Sequence, residues 1–177
     1  MKKLLLALML VMPMITWAEI TRDNISISEY DVTFSGVEKA DSLSATDLYN
    51  ATLAWLANEF EHPQDVIKEN ALDHIVLNGR LGAQIGNDRC INCTLIFHYK
   101  DGRYKWEIKD CMYLEDELGL IMGRNDRPLI ALPRYQRPSR FDDLIGDFSP
   151  MVDSFRESIK QYQPGVTPIP ENLSADW

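Results

Sequence analysis

The fold of this chain is decided by the stretch "FHYKDGRYKWEIKDC", residues 97–111. An Asp-Gly pair flanked by alternating side chains is the strongest local signal for a two-residue β-hairpin. A type I′ turn at Asp101-Gly102 would fix the cross-strand pairs, which are Lys100 with Arg103, Tyr99 with Tyr104, Phe97 with Trp106 and Leu95 with Ile108. The aromatic rings then lie on one face of the hairpin and the charged groups on the other.

This separation argues against a nucleic-acid-binding surface. Such a surface needs stacking rings and phosphate-binding cations on the same face. The chain also carries 18 Lys and Arg against 27 Asp and Glu, a formal net charge of −9. Because phosphate contact needs clustered cations, we expect no nucleic-acid partner.

The first residues, "MKKLLLALMLVMPMITWA", have the pattern of a secretory signal peptide. A short positive start precedes an apolar run, and Thr16 and Ala18 give a small-residue exit, so we expect cleavage after Ala18. The alternative is an uncleaved membrane anchor, but the apolar run is short for a bilayer and contains Pro13. We therefore expect an exported protein, periplasmic or extracellular, with no stable membrane insertion after cleavage.

Periodicity predicts one α+β domain between residues 19 and 163. A strand is expected over Ser26–Phe34, followed by a loop, and helical spacing is expected over Leu48–Phe60 with Ser44 as the N-cap. A long strand begins at Asp73. A closing helix over Met151–Ile159 has Ser149 as its expected cap and Pro150 at its first position. Residues 164–177 are rich in Pro and are expected to form an extended tail outside the domain.

Three stretches carry a resemblance to a known family: "ATDLYNATLAWLANEF" (45–60), "DHIVLNGRLGAQI" (73–85) and "CTLIFHYKDGRYKWEI" (93–108). Together they resemble a family of exported bacterial domains of unknown function described as having a TATA-box-binding-protein-like fold. The resemblance implies a curved antiparallel sheet with two main helices packed on one face. It does not imply DNA binding, because function lives in sites and not in folds, and it supplies no catalytic residues.

The three cysteines are Cys90, Cys93 and Cys111. The CxxC motif runs into a predicted strand, whereas a thioredoxin-like motif opens a helix, and neither a second CxxC nor spaced histidines suggest zinc. The hairpin register places Cys93 on the core face and Cys111 on the other. If one disulfide forms, parity favours Cys90 with Cys111 and leaves Cys93 as a buried thiol.

Two sets of residues are candidates for binding. The first is the polar face of the predicted sheet, with His74, Asn78, Arg80, Ile96, His98 and Lys105. The second is a basic segment that is interpreted either as an anion or partner site or as a loop balancing the acidic residues 115–117; its arginines are Arg124, Arg127, Arg134, Arg137 and Arg140. The expected register places His98 opposite Asn78 and away from His74, so we predict no metal site.

No Walker loop, HExxH, GxSxG or GxGxxG motif is present in the sequence. The leading hypothesis is therefore a non-enzymatic interaction or ligand-binding module of the cell envelope, without a cofactor, whose partner is an envelope protein or a small ligand. One alternative is a small periplasmic hydrolase or thiol enzyme with an unrecognised site. The other is a structural protein that assembles through an exposed sheet edge.

Overall fold

The computed structural model describes residues 20–27, 32–84, 90–114, 127–128 and 141–173. The predicted signal peptide, residues 1–18, lies outside this part of the chain. The strands are β1 (Ile25–Ile27), β2 (Val32–Lys39), β3 (Ile67–Ala71), β4 (His74–Gln84), β5 (Cys90–Lys100), β6 (Arg103–Leu114) and β7 (Arg127–Pro128). The α-helices in the described ranges are α1 (Ala45–Glu59), α2 (Pro63–Val66) and α3 (Phe141–Gln161).

The strands form one antiparallel sheet in the order β1-β2-β6-β5-β4-β3, and the two-residue β7 pairs with β6. Helices α1 and α3 pack on one face of this sheet, where Trp55 and Phe155 meet Phe97. The predicted fold class, an α+β protein with an antiparallel sheet and two main helices on one face, is therefore confirmed.

The β5–β6 hairpin has the predicted register, with Lys100 paired to Arg103 and Phe97 to Trp106. Its turn is not type I′, however. That turn needs positive φ at both central residues, and of the two only Gly102 has it, at +74°. The Gly102 amide instead donates to the carbonyl of Leu43, 2.9 Å away, so the hairpin tip is held against the loop that precedes α1.

Helix α1 forms where the apolar spacing predicts it. Ser44 caps it, because its Oγ accepts a hydrogen bond from the Asp47 amide at 3.1 Å. The Asp47 carboxylate in turn accepts from the Ser44 amide at 3.0 Å, which completes a capping box. Its apolar stripe, including Leu48, Leu53 and Leu56, is buried.

The single strand predicted over Ser26–Phe34 is wrong, because β1 and β2 are separate strands that pair with each other, Ile27 with Val32. Strand β2 also continues past Phe34 to Lys39, through residues expected to form a loop. Gly36 lies beneath the indole ring of Trp106, where an added Cβ would come within 2.6 Å of the ring. A glycine that would terminate an isolated strand is here required by the close approach of β6.

The closing helix α3 is longer than predicted and contains Pro150 in its interior. Ser149 is not its cap, because its hydroxyl donates to the Ile145 carbonyl one turn back at 2.7 Å. Pro150 lies on the exposed side of the helix, where water can bond the carbonyl left without an amide partner.

The Pro-rich segment is also closer to the domain than expected. Leu173 is buried in the core, and its carbonyl accepts a hydrogen bond of 2.7 Å from the side-chain amide of Asn70 in β3. The expectation of a tail that leaves the domain after residue 163 is therefore wrong for residues 164–173.

The positions of the described side chains do not support the predicted Cys90–Cys111 disulfide. Cys111 and Cys93 are both buried thiols, with Sγ atoms 3.3 Å apart. The ladder shifts between Asn92 and Thr94, so the simple alternation that placed Cys111 on the far face fails. Cys90 pairs through its backbone with Leu114, three residues beyond Cys111, or roughly 10 Å along a strand.

Candidate functional site

The face of the sheet opposite α1 and α3 carries five residues of the first predicted binding set, which are His74, Asn78, Ile96, His98 and Lys105. The strand pairing aligns one row of side chains across β4, β5, β6 and β2. These are, in that order, His74, His98, Lys105 and Val37. The next row towards the hairpin tip is Lys100, Arg103 and Lys39. We call this surface the open face, because Val37, Lys39, His98, Lys100 and Arg103 are all exposed.

The pairing of His74 with His98 corrects the expected register, in which His98 faced Asn78. The two imidazole rings are neighbours, with centroids 6.1 Å apart. Asn78 instead pairs with Thr94 and donates to its hydroxyl at 3.0 Å. The β4–β5 ladder shifts between Arg80 and Gln84, and an irregularity of this kind is not readable from alternation alone.

Both histidines lie beside carboxylates, and we call Glu69, Asp73, His74, His98 and Glu107 the histidine cluster. The His74 ring nitrogens lie 2.9 Å from Asp73 Oδ1 and 3.1 Å from Glu69 Oε2. The hydrogen bond with Asp73, and then the one with Glu69, raises the pKa of His74 above its ordinary value. The same hydrogen bond with His74 lowers the pKa of Asp73.

The histidine cluster has donors of the kinds that bind metal ions. Within the ranges that the structure describes, though, no group of three or more His, Cys, Asp or Glu side chains is placed to hold one. The cluster is better understood as paired charges across neighbouring strands, the arrangement that stabilises an exposed sheet surface.

A hollow of about 430 Å³ adjoins the histidine cluster on the open face. We call it the cationic hollow; the described residues that line it are Val37, His98, Lys100, Arg103, Tyr104 and Lys105. Val37 is 66% exposed, which is unusual for an aliphatic side chain, and it lies beside Lys105 in the ladder. The hollow therefore combines an apolar contact with several positive groups.

The charge of the cationic hollow is only partly neutralised. Lys105 Nζ lies 2.9 Å from Glu107 Oε1, and His98 Nε2 lies 3.5 Å from the other oxygen of that carboxylate. Lys100 and Arg103 form no ion pair with any described residue, and the same holds for Lys39 beside them. The positive charge thus increases towards the hairpin tip.

Several predicted site residues contribute no exposed, described side chain to this surface. Ile96 is on the open face but is buried, so it offers little contact area. Arg80 and Arg127 lie in β4 and β7, and their side chains are outside the described residues. The other residues of the basic segment also lie outside them, namely Arg124, Arg134, Arg137 and Arg140.

A second hollow, of about 420 Å³, lies between α1 and α3. Its polar groups bond to one another: the Trp55 indole donates to Ser154 Oγ at 3.1 Å, and Ser154 donates to Glu59 at 2.7 Å.

No helix among the described residues is long and apolar enough to cross a bilayer.

Part of the chain is similar to a known protein family. Residues 34–113 match the model of a family described as "Domain of unknown function (DUF4468) with TBP-like fold". This part of the chain is similar to that family. It contains α1, β5, most of β2 and all of β6 except its last residue, and it includes every described residue that lines the cationic hollow.

Two crystal structures resemble the whole architecture. A TBP-like protein from Parabacteroides distasonis is 14% identical, with a TM-score of 0.55, over 78% of this chain and 98% of its own. A DUF4468 family protein from Bacteroides ovatus is 10% identical, with a TM-score of 0.53, over 86% of this chain and 97% of its own. No curated protein matches the chain. At these identities the comparison shows the fold and carries no site residue across.

The sequence alone predicts only part of this site. His98 and Lys105 were predicted, whereas Val37 was not, because β2 was expected to end at Phe34. The hairpin register places Lys100 and Arg103 on the correct face but does not mark them as site residues. A signal for them was present in the turn, since the two cations flank Asp101-Gly102 on the same side.

Proposed function

We propose that this protein is a non-enzymatic interaction module of the cell envelope that binds a carboxylate-bearing ligand at the cationic hollow. The observation that carries the proposal is the presence of Lys100 and Arg103, without ion pairs in the described structure, beside the exposed Val37. Unpaired cations next to an exposed apolar side chain suit a ligand that has both an anionic and an apolar part.

Because the whole chain is negatively charged, this local concentration of cations stands out from the rest of the surface. The formal net charge is −9, so most of the surface repels an acidic ligand. A local positive hollow on such a surface selects where an anion binds. This supports a defined site over diffuse attraction.

The size of the hollow limits the ligand. A volume of about 430 Å³ falls within the usual range for sites that take a small molecule or a few side chains. We infer that the ligand is a small carboxylate or a short acidic segment of an envelope protein, and that the recognised chemistry is the same in both cases.

The proposed location rests on the sequence. The signal-peptide pattern of residues 1–18 supports export, and an exported protein meets its ligand in the envelope or outside the cell. Mass spectrometry of the mature protein tests this location. An N-terminus at Glu19 supports export, and a retained apolar segment contradicts it.

Assembly through a sheet edge is less well supported. The edge strand β3 has five residues, exposed Lys68 and Glu69, and a register irregularity between Ile67 and Glu69. Short, charged and irregular edges are the features that prevent pairing with another strand. A thiol enzyme is also disfavoured, because the Cys93 thiol is fully buried in a strand.

The test is calorimetric titration of the mature protein with a short oligoglutamate peptide at low and at moderate salt. We expect salt-sensitive binding that weakens roughly tenfold in the double variant Lys100→Gln/Arg103→Gln, the loss of two exposed charge contacts. An oligolysine peptide of the same length should not bind.

The matched control is Lys68→Gln/Lys109→Gln, which removes the same net charge outside the hollow. Equal weakening in both double variants would indicate diffuse attraction and overturn the proposed site. Absence of binding to oligoglutamate and to small dicarboxylates at low salt would overturn the ligand class.

A further inference from the structure

Cys93 and Cys111 lie side by side in the core, on neighbouring strands. Their Sγ atoms are 3.3 Å apart, and the side chains are 0% and 2% exposed. A disulfide needs an S–S distance of about 2.0 Å between residues of suitably close backbones. Opposing residues of adjacent antiparallel strands have Cα atoms about 4.5–5.5 Å apart, which is within the range that a disulfide spans.

A local irregularity in β6 produces this juxtaposition. Asn92 pairs with Met112 and Thr94 with Lys109, so Cys93 alone faces the two residues Asp110 and Cys111. Asp110 has a φ of +52°, a left-handed conformation that is uncommon outside glycine. This bulge reverses the facing of Cys111, which turns inward against Cys93.

We infer that Cys93 and Cys111 form a disulfide that covalently joins β5 to β6 when the protein folds in an oxidising compartment. The required oxidant is a protein or small-molecule disulfide. One cysteine thiolate attacks a sulfur of that disulfide and forms a mixed disulfide, and the first thiol of the oxidant leaves. The thiolate of the second cysteine then attacks the sulfur of the first cysteine in the mixed disulfide, and the second thiol of the oxidant leaves. Two electrons and two protons pass to the oxidant.

Because both thiols are buried in the folded protein, the reaction takes place during folding. An oxidant reaches them before the helices cover this face of the sheet, and the completed core then shields the bond from reductants. Cys90 is not a competing partner in the folded protein, because its backbone pairs with Leu114, past the bulge. The CxxC spacing therefore does not define the reacting pair.

This inference is independent of the cationic hollow, and its test does not depend on export. The purified full chain is unfolded, reduced, refolded in a buffer of reduced and oxidised glutathione, and then denatured and alkylated. We expect one alkylated cysteine of the three, and a non-reducing digest that links the peptides containing Cys93 and Cys111. We also expect protein refolded with reductant to have a lower thermal midpoint than protein refolded under oxidising conditions.

The Cys90→Ser variant is the matched control and should keep the cross-link. Cys93→Ser and Cys111→Ser should each lose it, and no new link to Cys90 should appear in either. Three alkylated cysteines in the refolded wild type, or a cross-link that contains Cys90, would overturn the inference.

Discussion

The carboxylate of Asp101 accepts a hydrogen bond of 2.9 Å from the amide of Ala45, the first residue of α1. The turn of the β5–β6 hairpin thus supplies a cap to a helix that lies 56 positions earlier in the chain. The Ala40 amide also donates to the Gly102 carbonyl at 2.9 Å. The hairpin tip, which borders the cationic hollow, is held in place by the start of α1.

The first prediction concerns this cap. Asp101→Ala should destabilise the fold by about 1 kcal/mol, because an amide at the N-terminus of α1 loses its acceptor and the helix dipole loses a nearby negative charge. Asp101→Asn keeps an acceptor oxygen and should cost less. Urea unfolding followed by circular dichroism measures both. Equal stability of the Ala variant and the wild type would show that the contact is not maintained in solution.

The second prediction compares two buried tyrosines that pair across the hairpin, Tyr99 and Tyr104. The Tyr104 hydroxyl donates to Glu38 Oε2 at 3.2 Å. The Tyr99 hydroxyl lies near Thr52 but makes no hydrogen bond of good geometry with a described residue. Tyr104→Phe should cost about 1–2 kcal/mol, whereas Tyr99→Phe should be neutral or slightly stabilising. Urea midpoints in the reverse order would contradict the assigned contacts.

The third prediction concerns the ion pair between Glu38 of β2 and Arg156 of α3. The Arg156 side chain is 6% exposed and also bonds Asp153 at 2.8 Å, and the Glu38 carboxylate accepts from the Trp106 indole at 3.0 Å. Glu38→Gln leaves a buried guanidinium without one of its two carboxylates, so we expect a loss of about 2–4 kcal/mol.

A double-mutant cycle tests whether this loss belongs to the pair. Glu38→Gln combined with Arg156→Met should cost less than the sum of the single changes, because the second change removes the uncompensated charge. The exposed Glu61→Gln serves as the control and should have little effect. Strict additivity in the cycle would mean that the two side chains do not interact in solution.

Local pattern was sufficient to predict the parts of the fold whose contacts are close in sequence. The hairpin register from Leu95 to Ile108 was correct because a two-residue turn at Asp101-Gly102 sets the pairs up to the bulge at Asp110. Helix α1 was correct because its stripe and its cap at Ser44 agree. Strand β3 was missed although its partner β4 follows at once, because the sequence of Ile67–Ala71 has no alternating apolar pattern. The end of β2 was missed since its partner, β6, lies far along the chain.

The candidate site was harder to predict for a physical reason. One extra residue in a strand changes which face every later side chain occupies. The bulge at Asp110 moved Cys111 beside Cys93. For His74 and His98 the predicted face was correct and the offset between β4 and β5 was wrong, since that ladder shifts between Arg80 and Gln84. Alternation cannot reveal such irregularities, because non-glycine residues such as Asp110 can adopt the bulge conformation without a distinctive sequence.

The last prediction follows from the pKa values in the histidine cluster. The pKa of His74 is raised above 6.5, first by its hydrogen bond with Asp73 and then by that with Glu69. Its protonated form therefore stabilises the folded state fully below pH 6.5, and this contribution is lost as the pH rises through the raised pKa. The pKa of Asp73 is lowered below 3.8, so its contribution is present above that pH and is lost as the pH falls through the lowered pKa.

The interaction between His74 and Asp73 should thus stabilise the fold most between about pH 4 and 6.5. In Asp73→Asn the carboxylate that contributes most is absent, so the pKa of His74 should move down towards 6.5, and the effect of the substitution on stability should be largest in that window. An NMR titration of the His74 ring protons measures the first effect, and urea unfolding at a series of pH values measures the second. Asp23→Asn removes a carboxylate from a distant segment and should leave the His74 titration unchanged. If Asp73→Asn also leaves it unchanged, the hydrogen bond between these neighbours does not control the protonation of His74.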